Sequence, residues 1–575
     1  MKELKLTEII ALNNKLASAV SQVKPYNIKI FYNVTCNQVV QPIIYSLRSE
    51  GINPVVTLGG FDNLVQDSYQ ADNQQLVVVM YDIVGVLMKR EEFVENLSDS
   101  QIEQLIADIL AEYDLINNNL HATPAVVWNT VTSAVVNLNP TAETKLKFIV
   151  DRINAYFADN KPKNVTLINL NDILLQVGIE NAVDRRMLYS SKIPYSFVFW
   201  KYYASYLASI VFRFTGKLKK VLVFDCDNTL WKGILGEDGL SGIDMNAHSK
   251  VGQIFNSVQQ IAKWLSGHGV IVGLCSKNNL NDVQEVLDKH PDMVLRDENI
   301  VIKKVNWNDK ASNLREIAIE LNVGIDSIVF VDDSEFEISL INDQLPQVKT
   351  FQVPSNLEQY PRYLLTLINQ YFYITEAKAD LEKTSQYKAQ VQRVQSRQVF
   401  GSIEDYLKSL DIRMKIKINS IEESERIAQL TQKTNQFNLT TQRYTQSQIE
   451  EFMNQNLKYK VYSIAVEDKF GDMGLTGLAI VECEQAVAYI DTFLMSCRIM
   501  GRNIEFAFMD YIVADLRKQN IVTVNAVYME TPKNSPVENF YDNCGFQRLD
   551  SGDNEKKYSL VIEEYKPLDI NYIKI

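Results

Sequence analysis

The sequence predicts a multidomain α/β protein, and three observations carry that prediction. The chain has 575 residues, several times what one hydrophobic core organises. Up to about residue 370, apolar strand-like runs alternate with amphipathic helical stretches, the pattern of parallel sheets covered by helices. From about residue 411 the pattern changes. Ile412-Arg413-Met414-Lys415-Ile416-Lys417-Ile418 alternates strictly, and closely spaced strands follow it, as in an α+β domain. The expected division is 1–215, 216–370, a helical linker over 371–410, and 411–575.

The first segment opens with an amphipathic helix over about 6–22. Strands follow at Ile28–Asn33, Pro54–Gly60 and Leu76–Asp82, with helices near 37–50, 91–119 and 141–158, and Asn164–Leu170 reads as a closing strand. Asn33, Thr35 and Asp82 stand at strand ends, where such residues either cap the next helix or line a crevice. An aromatic helix over about 197–214 leads to Gly216-Lys217, read as a hinge.

In the second segment Val221-Leu222-Val223-Phe224 reads as a strand buried on both faces, which then releases Asp225 and Asp227 two positions apart. Gly269–Ser276 is a second strand, ending in a hydroxyl, and Ser327–Asp333 a third, ending in paired acids. Lys310 opens a helix whose apolar positions Leu314, Ile317 and Leu321 recur at helical spacing. Residues 371–405 favour a polar helix, with a Gln/Lys/Arg-rich middle from Gln386 to Gln398. In the last segment strands are expected at 460–467, 475–483 and 486–495, then a helix at 504–518, a strand at 521–528, a helix near 535–544 and a final strand pair.

Paired carboxylates at the edge of a parallel sheet repel unless a cation or proton lies between them. A carboxylate at Asp225 can attack phosphorus, and Asp227 can give a proton to the leaving oxygen and later take one from water. Asp332 and Asp333 suit Mg²⁺, Ser276 can donate to a phosphoryl oxygen, and Lys310 can balance the charge on those oxygens.

The order Asp-x-Asp-x-Thr, Ser, Lys, Asp-Asp, each at the end of its own element, resembles the haloacid dehalogenase (HAD) superfamily over about 217–370. The resemblance implies Asp225 as nucleophile and Asp227 as acid/base. Thr229, Ser276 and Lys310 would bind phosphate. Asp225, Asp332 and Asp333 would hold Mg²⁺ with the backbone carbonyl of Asp227. The intervals Thr229–Ser276 and Ser276–Lys310 leave no room for a substantial cap domain, so the site is expected to be open.

The β-meander, the loop Ser496-Cys497-Arg498-Ile499-Met500-Gly501-Arg502-Asn503 and the run Asn539–Phe546 resemble the GNAT acyltransferase fold. Arg498, Gly501, Arg502 and Asn503 would then cradle the phosphate of a phosphopantetheine arm. The first segment resembles an SGNH-hydrolase-like or flavodoxin-like layer without the Gly-Asp-Ser and Asp-x-x-His motifs of hydrolysis.

The runs at 225–239, 274–279, 433–441 and 496–502 together look like the FkbH-like family of HAD-type proteins. One departure is Lys232, where a glycine is expected; it adds a cation near the site mouth. The family resemblance implies an enzyme of polyketide or polysaccharide biosynthesis. It would dephosphorylate a three-carbon acyl phosphate, typified by 1,3-bisphosphoglycerate, and load the glyceryl or a related hydroxyacyl group onto an acyl carrier protein. Cys497 and Cys275 are the leading candidates to hold the acyl group. Cys226, between two acids, is a weaker one. A plain Mg²⁺-dependent phosphatase and a non-catalytic assembly-line scaffold are the alternatives.

Composition narrows the field further. A formal charge of −13 argues against a nucleic-acid surface. Six scattered cysteines without a CxxC pair read as reduced thiols of a cytoplasmic protein. No apolar run reaches the roughly 18 residues of a membrane span, and no signal peptide is visible.

Overall fold

The computed structural model describes residues 4–71, 73–136, 142–372, 374, 383–397, 401–531, 533–552, 554–568 and 570–575. Residues 373, 375–382 and 398–400 of the expected linker, and Thr141 of an expected helix, lie outside them. Two compact units are present: Met1–Thr215 with Tyr444–Ile449, and Gly216–Arg443 with Glu450–Ile575. The multidomain α/β class expected from sequence is the class observed.

In the first unit, strands β1 (Pro25–Tyr32), β2 (Asn53–Phe61), β3 (Leu76–Met80), β4 (Val126–Asn129) and β5 (Val165–Ile168) form a parallel sheet in the order β2-β1-β3-β4-β5. β3 and β4 are buried throughout. Trp128, Tyr113 and Phe157 anchor one face, with the last two rings stacked 4.1 Å apart. The helix expected from 91 begins at Asp99, because Ser98 and Gln101 close a reciprocal capping box there. Asp82 takes the capping role. It accepts from Val84 N at 2.8 Å and from Tyr195 Oη at 2.6 Å, fully buried, while Asn33 bonds its backbone on both sides. Burial pushes its carboxyl up.

In the second unit, β6 (Val221–Phe224), β7 (Ile271–Ser276), β8 (Ile302–Val305), β9 (Ile328–Asp332) and β10 (Lys349–Gln352) form a second parallel sheet, ordered β10-β9-β6-β7-β8. Val221, Val223, Ile271, Leu314, Ile317 and Phe330 belong to the core on one face. The intervals after Thr229 and after Ser276 are filled by helices Gly252–Gly267 and Leu280–Lys289 and by β7 and β8.

The remaining strands are β11 (Ile412–Ile418), β12 (Phe437–Asn438), β13 (Tyr459–Asp468), β14 (Gly471–Glu484), β15 (Val487–Met495), β16 (Thr523–Met529), β17 (Gln547–Gly552), β18 (Glu555–Val561) and β19 (Ile573–Lys574). Their sheet runs β17-β18-β16-β15-β14-β13-β11-β19, with β12 paired to β15. The helix Ile504–Lys518 covers it, burying Phe508, Ile512 and Leu516. The helix expected near 535–544 is instead a short turn at Ser535–Val537 and a four-residue helix, Phe540–Asn543. Helix Lys383–Arg397 is a packed brace: Tyr387, Gln390 and Arg393 are buried.

Candidate active site

Register assembles the site. β6 pairs Phe224 with Val331 of β9 and with Leu274 of β7, so the next residues, Asp225, Asp332 and Cys275, stand abreast at the C-terminal edge of the sheet. Asp309 caps the helix Lys310–Glu320 through Ser312 N, setting Lys310 at its first position. The Lys310 Nζ then lies 3.1 Å from Asp225 Oδ1 and 2.6 Å from Asp332 Oδ2, with both carboxylates nearly sealed from solvent. Asp332 Oδ1 accepts from Ser334 N at 2.9 Å. Asp333 follows beside them, and one oxygen from each of Asp225, Asp332 and Asp333 lies within 4.8 Å of the others.

The electrostatics follow from that packing. Burial pushes the Asp225 carboxyl up to about 6, against the pull of Lys310 and with a further push from Asp332. Burial likewise raises Asp332 and Asp333. For Lys310, burial works to lower the ammonium, but Asp225 and Asp332 outweigh it and hold it above its ordinary value. The residues offer only carboxylate oxygens, hard donors of the kind Mg²⁺ selects. The Asp333 carboxylate has no side-chain partner among the described residues, so this donor set fits the expected ion.

Asp227 is held by residues that sequence reasoning did not single out. Its Oδ1 accepts from Trp231 Nε1 at 2.9 Å and from Leu235 N at 3.0 Å, and its Oδ2 from Asn278 Nδ2 at 2.8 Å. Asn278 also reaches Ser276 Oγ at 3.4 Å. A usable signal was present, because an indole N–H four residues past an acid, across a tight turn, has that acid within reach. Asn228, in the left-handed region at φ 50°, makes that turn, and its side chain accepts from Gly233 N. Thr229 is fully buried under it, its carbonyl taking Tyr360 Oη at 3.2 Å, and its hydroxyl has no partner among the described residues.

The three candidate cysteines are buried. Cys275 is fully buried, and its Sγ faces the Lys310 carbonyl at 3.9 Å within the apolar cluster of Ile271, Leu314 and Phe330. Burial raises its thiol, as it does that of Cys226. Cys497, 7% exposed, packs against Tyr387 in the same apolar cluster as Cys275. None of the three is an open nucleophile.

The arginines of the expected phosphate loop are buried and bonded within the chain. Arg498 and Arg502 are 4% and 5% exposed. Arg502 bonds Gln390 Oε1 at 2.9 Å and the Arg498 carbonyl at 2.6 Å, and pairs with Asp468 at 3.3 Å. Arg498 bonds Gln386 and Ser496. A buried carboxylate at Asp468 draws the Arg502 guanidinium inward. Gly501 turns the loop at φ 74°, and Asn503, at φ 61°, donates to Tyr572 Oη at 2.7 Å.

No family model matches the chain, and no curated protein does. Among solved structures, the chain is similar to the N-terminal part of the protein BF1531 from Bacteroides fragilis, which contains a phosphatase domain complexed with Mg. The two are 22% identical with a TM-score of 0.55, over 63% of this chain and 98% of that one. This likeness shows the fold. Over 26% of the chain there is similarity to a GNAT-family putative acetyltransferase from Desulfovibrio desulfuricans (14% identity, TM-score 0.22, 99% of that chain). The PaiA N-acetyltransferase from Thermoplasma acidophilum, in complex with coenzyme A, matches over the same share (16%, 0.20, 98%). No helix among the described residues is long and apolar enough to cross a membrane.

Proposed function

We propose that the chain is an HAD-type phosphatase acting on a phosphorylated three-carbon acyl group, in the manner of the FkbH-like family its motifs resemble. The observation that carries the reading is the buried cluster Asp225, Lys310, Asp332 and Asp333 at one sheet edge, with Asp227 beside it in a fixed orientation. Mg²⁺ held by Asp225, Asp332, Asp333 and the Asp227 carbonyl would neutralise phosphate charge and let an anionic nucleophile approach. The Asp225 carboxylate attacks the phosphorus of the substrate's phosphate ester, leaving the acyl phosphate intact for the thiol, and the bond to the leaving alkoxide oxygen breaks as Asp227 supplies its proton. Asp227 then takes a proton from the water that releases phosphate and regenerates Asp225. Lys310, pinned by Asp332, and Ser276 balance the charge on the phosphoryl oxygens.

The partner in this reading is an acyl carrier protein, reached through the open site. Burial of Cys275, Cys226 and Cys497 supports capture of the acyl group by the carrier's own thiol: the thiolate attacks the acyl carbon, and phosphate leaves with the electrons of the broken C–O bond. The same burial favours a second reading, a plain Mg²⁺-dependent phosphatase that never handles the acyl carbon.

One experiment separates them. The chain is incubated with 1,3-bisphosphoglycerate, Mg²⁺ and a holo carrier protein, and both proteins are followed by intact mass. A glyceryl adduct on the carrier supports the first reading, phosphate release without an adduct supports the second, and no Mg²⁺-dependent release under any condition rejects both.

A further inference from the structure

The GNAT-like part of the sequence implies a coenzyme A or pantetheine arm, and the residues present do not fit one. An extended arm lodged between diverging strands needs free backbone N–H and C=O groups along one of them. β15 and β16 pair in parallel only over Val487–Ile490 and Thr523–Ala526. At Asp491 the pairing of β15 with β14 skips a residue, a bulge that turns the rest of β15 away from β16. The opening so made is occupied by the chain itself.

The occupying segment is bonded on both sides. Phe437 and Asn438 pair antiparallel with Met495 and Leu494. Leu439 N donates to Phe493 O at 3.1 Å, and Met529 N of β16 donates to Leu439 O at 2.8 Å. Thr440 Oγ1 caps the bulge carbonyl of Asp491 at 2.8 Å. Asn534, fully buried, donates to the carbonyls of both Asn438 and Met529, tying the segment to the end of β16. Phe437 and Leu439 are core residues.

The loop that would hold the arm's phosphate is engaged as well. Arg393 of the brace clasps Asp468 with two bonds of 2.7 and 2.8 Å, and Arg502 joins the same carboxylate. Asn322, just past the helix Lys310–Glu320 of the catalytic domain, donates to the Cys497 carbonyl. Cys497, Met500 and Tyr387 pack with Leu314, Ile317 and Leu321 of that domain.

We propose that the C-terminal domain holds no pantetheine arm: Phe437–Leu439 permanently fills its strand cleft, and loop 496–502 clamps it, through the brace, onto the catalytic domain. The clamp bears on the helix that carries Lys310 at its other end.

Two measurements on the full-length chain test this. Calorimetric titration with coenzyme A, and separately with phosphopantetheine, is expected to give no saturation up to about 1 mM. Saturable binding that Arg502→Met weakens would overturn the first half. Hydrogen exchange reads the clamp. Asn322→Gly keeps the left-handed backbone, at φ 52°, and deletes only the amide. Both Asn322→Gly and Arg502→Met are expected to speed exchange in the helix Lys310–Glu320 at least about tenfold relative to the rest of the catalytic sheet. Unchanged relative exchange in Asn322→Gly overturns the clamp even if Arg502→Met fails to fold. Phosphate release is measured on the same samples. A wild-type chain that releases none would fail the phosphatase reading while leaving this inference intact.

Discussion

The catalytic edge and the loop at 496–502 both bury charges of opposite sign within hydrogen-bond reach, yet they differ in what is left over. At the edge, Asp333 lacks a side-chain partner among the described residues, the Thr229 hydroxyl is unbonded, and three carboxylates share one lysine. At the loop, Asp468 is shared by Arg393 and Arg502, which reach it from two directions; Gln390 takes a further donor of Arg502, Gln386 takes one of Arg498, and one guanidinium nitrogen of Arg393 is left without a partner among the described residues. An excess of carboxylate suits a cation; arginines held by a carboxylate, glutamines and a carbonyl of the same chain suit cohesion. Burial of charge alone therefore does not mark a site.

The sharpest break of this comparison is to neutralise one acid in each place. Asp225→Asn is expected to lower Mg²⁺-dependent phosphate release on the order of 10⁴-fold or more, with the fold intact by circular dichroism. Near-normal turnover would remove Asp225 as nucleophile. Asp468→Asn should do the reverse. It leaves two buried guanidinium groups short of their counter-charge and costs about 3–5 kcal/mol in a denaturant titration, with turnover per folded molecule retained. A loss of turnover at unchanged stability would mean that the loop takes part in the chemistry.

A smaller effect sharpens the edge itself. Trp231→Phe removes one of the two donors to Asp227 Oδ1 while Leu235 N keeps the other. A roughly tenfold fall in kcat is expected, with KM little changed, because the acid's aim loosens while phosphate binding does not depend on it. An equal rise in KM would point to a collapse of the turn instead.

The pH dependence follows from Asp225, whose carboxyl burial pushes up to about 6. Attack needs the carboxylate, so turnover at low Mg²⁺ should fall as pH drops below about 6. Added Mg²⁺, which displaces the proton, should move that midpoint lower. For stability the sign is opposite. A carboxyl raised in the folded state stabilises it when protonated, and that contribution is lost as pH rises through about 6. The metal-free protein should thus lose stability across that range, and Asp225→Asn should lose less. Identical profiles for the two proteins would remove Asp225 as the source.

Much of the edge was legible in the sequence because strand ends announce themselves: four apolar residues and then an acid puts Asp225 at a sheet edge, and Ser276 and Asp332 follow the same rule. β4, Val126–Asn129, was not read from the sequence, and β12 has two residues, too few for any periodicity, and pairs with β15 beyond its bulge at Asp491. The arginines misled for a physical reason. A loop with Arg498 and Arg502 at a helix start reads as an anion site, but Arg502 turns to Asp468, some thirty positions earlier on another strand, and Arg498 to Gln386 of a brace whose register no local pattern reveals. Alternation alone could not assign Cys275 to the core, since it shares a sheet face with Asp225 and Asp332; the helix Lys310–Glu320 packed over that face is what covers it.

The smallest expected effect lies at Lys232. Its side chain is exposed, and its Nζ bonds Asn228 Oδ1 at 3.0 Å on the surface of the turn that carries Asp227. An exposed bond of this kind contributes little, so Lys232→Met should change stability by less than about 0.5 kcal/mol. Its consequence is expected in binding. A cation at the mouth of an open site draws in an anionic substrate, so KM should rise by about two- to fivefold at low ionic strength, and the difference should vanish at high salt. A salt-independent change would mean that Lys232 acts through Asn228 and the geometry of the turn, which would place it with Trp231 among the residues that aim Asp227.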